Sequence, residues 1–498
     1  MNIRKQNPFF MLCFFEYFER FGYYGFSYTS ILFFMSSNGF QINEKQAVLL
    51  FGSFAALSYV FNAVGGVIAD RVLGIKRTMF AGGILLLIGY ALIAVSAMIV
   101  FKELIYVAIA TVILGAALFK PAPTNLISRI YTDHSKIDSL YTIFYMSINL
   151  GSLTASLFIP YLASNFGYTF TYSLCSLGFV IAIANTLLSY SSIKDVDNTV
   201  GHLRLGVGIY LRVIFGILCT VFLLSVVLSY GNLADVVLWG GALLIFTIFG
   251  MQLFIEKDPL AQRKIFVAIV LLFYAVVFYC IYQQKFTSFL LFNIHHVNLH
   301  FLGMDVNAQS IPGVLNTAGI VIMSPILATL YIKLKDKDLC LPHKFALGIL
   351  LCGLAYGVLF LACLLNAPTS KISIWWEVLA ITVCFSSAEL LISALGLALM
   401  VKLLPKRIMG FAMGTWFITT AIGIKLGTMI ATYTSSGVVY DTSKGFDTET
   451  TIASYYGYQH LFGVIFVVAM IIAIFAFAIG GKLNKMIQEY NTFAKNIS

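Results

Sequence analysis

Apolar runs of membrane-spanning length recur along the chain, and short polar breaks separate them. A helix that crosses a bilayer needs about 20 apolar residues, and roughly fourteen such runs fit this sequence. They fall at 9–36, 46–70, 78–100, 104–129, 139–164, 168–190, 208–229, 235–255, 264–294, 308–333, 344–366, 374–403, 409–434 and 455–481. Two charged stretches interrupt the series: 191–204, with Lys194, Asp195 and Asp197, and 256–264. They group the runs as six, two and six. The pattern predicts an all-α membrane protein with an N-terminal six-helix bundle at 1–192 and a C-terminal six-helix bundle at 263–498. Between them, 193–262 is a linker with two accessory transmembrane helices. That pair carries few polar residues at depth and reads as a hairpin without a transport role.

Composition agrees. The 498 residues are 60% hydrophobic and 10% charged, against about 25% charged in soluble domains. A core of this size cannot hide so much apolar side chain, so lipid is the solvent for much of the surface. No small-residue cleavage site follows the first basic residues, so the first apolar segment is expected to stay as a helix. The eight cysteines show no paired spacing, which gives no disulfide framework and no metal signature. The net charge of +10 would suggest nucleic acid in a soluble protein. Here the basic residues lie in alternate loops. Threaded with the amino terminus inside, about 23 of the 31 Lys and Arg fall on the cytoplasmic side. Lys45, Lys102, Lys371 and Lys444 fall outside. This asymmetry predicts cytoplasmic termini and speaks against a nucleic-acid partner.

Ionisable groups at bilayer depth are expensive and usually face a cavity. In the first run, Glu16, Glu19, Arg20, Tyr23, Tyr24 and Ser27 recur at three- and four-residue spacing and share one broad face. An arginine between two glutamates lowers the cost of burial, and protonating a glutamate would free the arginine. A static ion pair locking helices together is the alternative. Lys120 lies deep in the fourth run, before Pro121, or else snorkels to the interface. Glu389 lies in the twelfth run with no basic neighbour at helical spacing, so its partner comes from another helix or from a substrate, unless it is a neutral structural group. Arg20 and Lys120 on one side and Glu389 on the other suit a zwitterion such as an amino acid or short peptide.

The six-two-six layout resembles the major facilitator superfamily, whose binding site lies near the midplane between two six-helix halves. Gly66-x-x-x-Asp70-Arg71-x-x-Gly74-x-Lys76-Arg77 resembles that superfamily's cytoplasmic gating motif. Glu16-Tyr-Phe-Glu19-Arg20-Phe-Gly-Tyr-Tyr-Gly25, Phe144-Tyr-Met-Ser-Ile-Asn149-Leu-Gly151, Phe119-Lys120-Pro121 and Glu389-Leu-Leu-Ile-Ser393 together resemble the proton-dependent oligopeptide transporter family. Tyr282 to Leu330 looks most like its bacterial di- and tripeptide permease branch. The resemblance implies a proton-coupled symporter that imports di- and tripeptides across the bacterial inner membrane by alternating access. No cofactor is implied beyond the proton, and a monomer is the expected functional unit. Arg20 and Lys120 would meet the peptide carboxylate, and Glu389, Asn149 and Asn316 the amine. Tyr23, Tyr24, Tyr59, Ser393 and Trp416 would line the pocket. Glu16, Glu19 and Arg20 would carry proton coupling, and Asp70 and Arg71 the gate.

The departures from that family pattern are specific. Ser27 and Gln283 are neutral where several members carry an arginine and a glutamate, so coupling would rest more heavily on Glu16 and Glu19. Ala394 and Thr317 stand where proline is usual. Lys285 and Lys425 stand where uncharged residues are usual, and each enters the cavity or reaches the interface, the latter expected for Lys425. His295, His296 and His300 are expected in a solvated outer loop. The rival substrates are a single amino acid or another small solute; nitrate has no amine for Glu389. No nucleophile, metal cluster or acid–base constellation suggests an enzyme, and no symmetric filter repeat suggests a channel.

Overall fold

The computed structural model describes residues 8–36, 39–131, 134–334, 338–403, 409–434 and 448–497. Its helices are α1 (Pro8–Met35), α2 (Glu44–Ile68), α3 (Ile75–Ile99), α4 (Lys102–Phe119), α5 (Pro121–Ile130), α6 (His134–Leu188), α7 (Val207–Ser229), α8 (Gly231–Ile255), α9 (Pro259–Tyr282), α10 (Ser288–His296), α11 (Ile311–Leu334), α12 (Leu341–Leu365), the single turn α13 (Trp375–Glu377), α14 (Ser386–Leu403), α15 (Met409–Ala431) and α16 (Thr448–Ile497). Among the described residues, eleven helical stretches are long and apolar enough to cross a membrane. The run in α1 is broken by Glu16, Glu19 and Arg20 and is not one of them.

Several expected runs are subdivided, each for a local reason. The fifth and sixth are the two helical segments of α6, which meet at a kink where Gly167 (φ 80°, ψ 167°) leaves the helical conformation. The fourth divides at Lys120, where Pro121 and Pro123 start α5; proline lacks the N–H that a continuing helix needs. The ninth becomes α9, a 3-10 turn at Gln283–Phe286, and α10. The twelfth becomes α13, a π-helix at Val378–Phe385, and α14. A second π-helix, Ala69–Leu73, follows α2. Wide turns of this kind cluster at functional sites.

The chain divides into two compact units, one running to Asp235 and the other starting at Val236. In the first, α1 packs on α6, α3 on α4 and α6, and α2 and α7 on α4. Phe15, Phe26, Phe33 and Phe34 are fully buried there. In the second, α12 packs on α16, α9 on α15, and α11 on the Val378–Phe385 π-helix and α14. An aromatic cluster fills its core, with Phe289 and Tyr356 rings 5.3 Å apart and Phe292 and Phe462 rings 5.0 Å apart. The accessory helices turn large apolar side chains outward: Phe215 of α7 is 69% exposed and Phe254 of α8 is 89% exposed. Such surface requires an apolar solvent. Among the described residues, four two-residue strands complete the second unit. β1 (Val297–Asn298) pairs in parallel with β4 (Ile372–Ser373), and β2 (His300–Phe301) pairs antiparallel with β3 (Met304–Asp305).

The polar stretch after α6 folds back onto the start of α3. Asp197 accepts from the backbone N–H of Ile75 at 2.7 Å and of Lys76 at 3.4 Å. A carboxylate there satisfies orphan donors and complements the helix dipole. Asn198 donates to the Ala69 carbonyl at 2.8 Å, Lys76 to Ile193 O at 3.0 Å, and Arg77 to Leu203 O at 2.8 Å. Gly74 sits at φ 86°, and a Cβ on it would lie 2.3 Å from Cα of Gly201. The conformation and the close approach both require glycine. Asp70 and Arg71 are exposed; Gly74, Lys76 and Arg77 make the motif's contacts with the linker.

Candidate functional site

In the first unit the buried charge cluster is built on one face of α1. Glu16, Glu19 and Arg20 are 3%, 1% and 5% exposed. Nη2 of Arg20 donates to Oε1 of Glu19 at 2.5 Å, and Nε donates to Oε2. Glu16, one turn earlier, holds Oε1 at 3.6 Å from the same Nε. The guanidinium carbon lies 4.9 Å from the Tyr23 ring centroid and 5.8 Å from that of Tyr24. Tyr59 of α2 stands close to Tyr23. Half-buried Lys120, at the α4–α5 junction, is within electrostatic reach of Glu16, Glu19 and Arg20. The structure thus brings Arg20 and Lys120 together with Glu16 and Glu19.

The Phe144–Gly151 motif, in α6, supplies the packing that brings this helix up to the cluster. A Cβ on Gly151 would lie 2.6 Å from the Tyr17 carbonyl and 2.9 Å from Cβ of Arg20. Asn149 donates to Tyr145 O at 3.0 Å within its own helix. Ser27 donates to Tyr23 O at 2.8 Å.

In the second unit, the partner of Glu389 comes from neighbouring helices. Oε2 of Glu389 accepts from the Tyr282 hydroxyl at 2.5 Å and from Nδ2 of Asn316 at 3.1 Å. Both bridging groups accept from Lys285: Nζ donates to the Tyr282 oxygen, and to Oδ1 of Asn316 at 3.0 Å. Ser386, at the end of the π-helix, lies 3.3 Å from Nδ2 of Asn316 and 3.0 Å from its carbonyl. Ser393 is 3.3 Å from the Tyr279 hydroxyl, and the Tyr279 ring meets that of buried Trp416 edge-on at 6.0 Å. Sequence reasoning flags Lys285 without a role and misses Tyr282. The available signal is a tyrosine and a lysine three residues apart inside the 264–294 run.

Two expectations are corrected. Lys425 does not reach an interface; it is 2% exposed inside the second unit, because α9 and the 3-10 turn after it pack on that part of α15, Gly423 against Tyr279 and Gln284 donating to Gly427 O at 2.6 Å. The histidines are not a common solvated loop. His296 is 2% exposed, 3.0 Å from Ser454 Oγ and against the Tyr455 and Tyr458 rings. Lys371 donates to the His295 carbonyl, and its own ammonium pKa is lowered by burial. Only His300 matches the expected exposure, with its imidazole 3.0 Å from Asp305. Sequence reasoning also passes over Glu377, fully buried beside Asn293. Gln283 and Thr317 are buried; the Ala394 side chain and Lys444 lie outside the described residues.

Comparison with known proteins gives concordant matches. The family model described as the POT family matches residues 76–444. Dipeptide and tripeptide permease B of Aeromonas hydrophila is 38% identical over 436 residues, covering 87% of this chain and 86% of that protein. The protein of the same name from Edwardsiella piscicida is 35% identical over 489 residues, covering 97% and 96%. A crystal structure of tetrameric PepTSo2 superposes with a TM-score of 0.84 at 26% identity, over 97% of this chain and 100% of that one. A structure described as giving insight into substrate recognition in proton dependent oligopeptide transporters gives 0.81 at 28% identity, over 97% and 99%.

Proposed function

The chain belongs to the POT family, multi-pass membrane permeases of the major facilitator fold, and from that premise we propose that it is a proton-coupled symporter importing di- and tripeptides by alternating access. The reading is of a transporter and not an enzyme. The expected location is a bacterial inner membrane, with both termini cytoplasmic and a single chain as the functional unit. Relatives named dipeptide and tripeptide permeases support the substrate class.

The observation that carries the reading is the buried Glu16–Glu19–Arg20 cluster. The Glu19 carboxylate holds the guanidinium fork, and Glu16 stands 3.6 Å from its Nε. When a proton reaches Glu19, the acceptor loses its charge and Arg20 is released toward a peptide carboxylate, with Lys120 as the second positive group. A charge-assisted, forked hydrogen bond suits a planar carboxylate. In the second unit, Glu389 and Asn316 provide the acceptors for a peptide amine. Asn149 serves the amine side, Tyr23, Tyr24 and Tyr59 the carboxylate side, and Ser393 and Trp416 the rim around Glu389. Asp70 and Arg71 act in gating.

The test is competition against uptake of a labelled dipeptide. Unlabelled dipeptides and tripeptides should compete, while single amino acids and tetrapeptides should not. Equal competition by single amino acids would make the amino-acid reading the correct one.

A further inference from the structure

The second-unit cluster contains a positive charge that the transport reading does not use. Lys285 is 5% exposed, and so are Tyr282 and Asn316. Its ammonium lies 4.1 Å from the Tyr282 ring centroid and 5.0 Å from that of Phe286. Buried ammonium groups need a compensating anion and full hydrogen bonding. The compensation reaches Lys285 along two parallel bridges. Tyr282 has one hydroxyl proton; it accepts from Lys285 and donates to Glu389. Asn316 accepts from Lys285 through Oδ1 and donates to Glu389 through Nδ2. The bridges also touch, the Tyr282 oxygen lying 3.1 Å from Oδ1 of Asn316; with the one hydroxyl proton on the shorter contact to the carboxylate, the hydrogens run from the lysine toward the glutamate. That polarity suits an ammonium at one end and a carboxylate at the other. Of the four side chains, Glu389 alone is partly exposed, so it is the end that an arriving group can reach.

We propose that Lys285 is a resident counter-cation of Glu389 and sets the charge preference of the transporter. The proposal rests on the reading of Glu389 as the amine-binding group. A peptide ammonium that reaches Glu389 shares one carboxylate with Lys285, which leaves one uncompensated positive charge at the site. A substrate with a side-chain carboxylate cancels that charge. One with a side-chain ammonium doubles it. The chain should therefore select acidic peptides over basic ones and bind neutral peptides less tightly than the same pocket would without Lys285.

The experiment is competition of labelled Ala-Ala uptake by Ala-Asp and Ala-Lys, with membrane abundance measured alongside. In the unaltered protein Ala-Asp should compete at least tenfold better than Ala-Lys. In Lys285→Met that ratio should fall below about threefold and the half-saturating concentration of Ala-Ala should drop several-fold; Lys285→Arg, which keeps the charge, should retain the ratio. A ratio near one in the unaltered protein overturns the proposal without any variant. So does a ratio unchanged in a well-expressed Lys285→Met. Glu389→Gln separates the two failures. If it transports Ala-Ala normally, the amine reading itself is wrong. If it is inactive while Lys285→Met keeps the original ratio, only the role given to Lys285 is wrong.

Discussion

Arg20 grips the carboxylate of its own chain neighbour, Glu19, with two nitrogens at once. Adjacent residues on a helix do not normally face each other. Here both side chains bend into one buried face, and Glu16 closes the group from one turn away. The arrangement makes the guanidinium's availability depend on the charge of its neighbours.

Glu19→Gln keeps the shape and removes the charge. A hydrogen bond to a charged group contributes about 1.5–3 kcal/mol, enough for a change of roughly tenfold or more. Accumulation of dipeptide driven by a proton gradient should fall by that factor or be lost, while counterflow between equal peptide pools persists. Glu16→Gln should act in the same direction. Loss of counterflow as well would assign these residues to binding or folding.

Glu389→Gln should cripple uptake of peptides with a free amine and leave membrane insertion intact. Oε2 receives two hydrogen bonds, and a neutral amide offers no charge to a substrate ammonium. The measurement is initial uptake rate normalised to protein in the membrane. A rate equal to that of the unaltered protein sinks the amine assignment.

Gly151→Val should loosen the seat of the charge cluster. Its first side-chain atom would meet the Tyr17 carbonyl at 2.6 Å and the Arg20 Cβ at 2.9 Å. Overpacking of this kind costs about 1–3 kcal/mol. The melting temperature in detergent should fall, and Gly151→Ala should fall less. An unchanged melting temperature for the valine variant would show that α1 and α6 are not held this closely.

Asp197→Ala should weaken the fold-back of the linker onto α3. Two backbone donors lose their acceptor, and loss of such a helix cap costs about 1 kcal/mol. Limited proteolysis within 191–204 should become faster, while Asp197→Asn, which keeps an acceptor oxygen, should sit between the two. Equal cleavage rates for all three would remove the capping role.

The apolar runs and the Glu16–Glu19–Arg20 face are legible in the sequence because hydropathy and helical spacing are local. The linkage of Lys285, Tyr282, Asn316 and Glu389 is not. It joins three separate segments, and the register that aligns Asn316 with Glu389 is set by how α11 packs on the π-helix and α14. Lys425 and His296 are misjudged for the same reason: charge and polarity suggest exposure, while neighbouring helices cover both. The breaks inside the long runs are partly legible. Pro121 announces the α4–α5 division, but no residue type announces a π-helix.

The contact of Gly74 with Gly201 extends to a third residue, since a Cβ on Gly201 would lie 1.9 Å from the Asp197 carboxyl carbon. Gly74 and the neighbouring linker positions Asp197 and Gly201, distant from it in the chain, therefore constrain one another, and neither glycine can gain bulk alone. The accessory helices, with Phe215 and Phe254 facing outward, accept any apolar side chain of similar size. Mutational tolerance should thus run opposite to hydropathy here: in a saturation-mutagenesis library, the short polar strap should be depleted of variants while the apolar helices beside it drift freely.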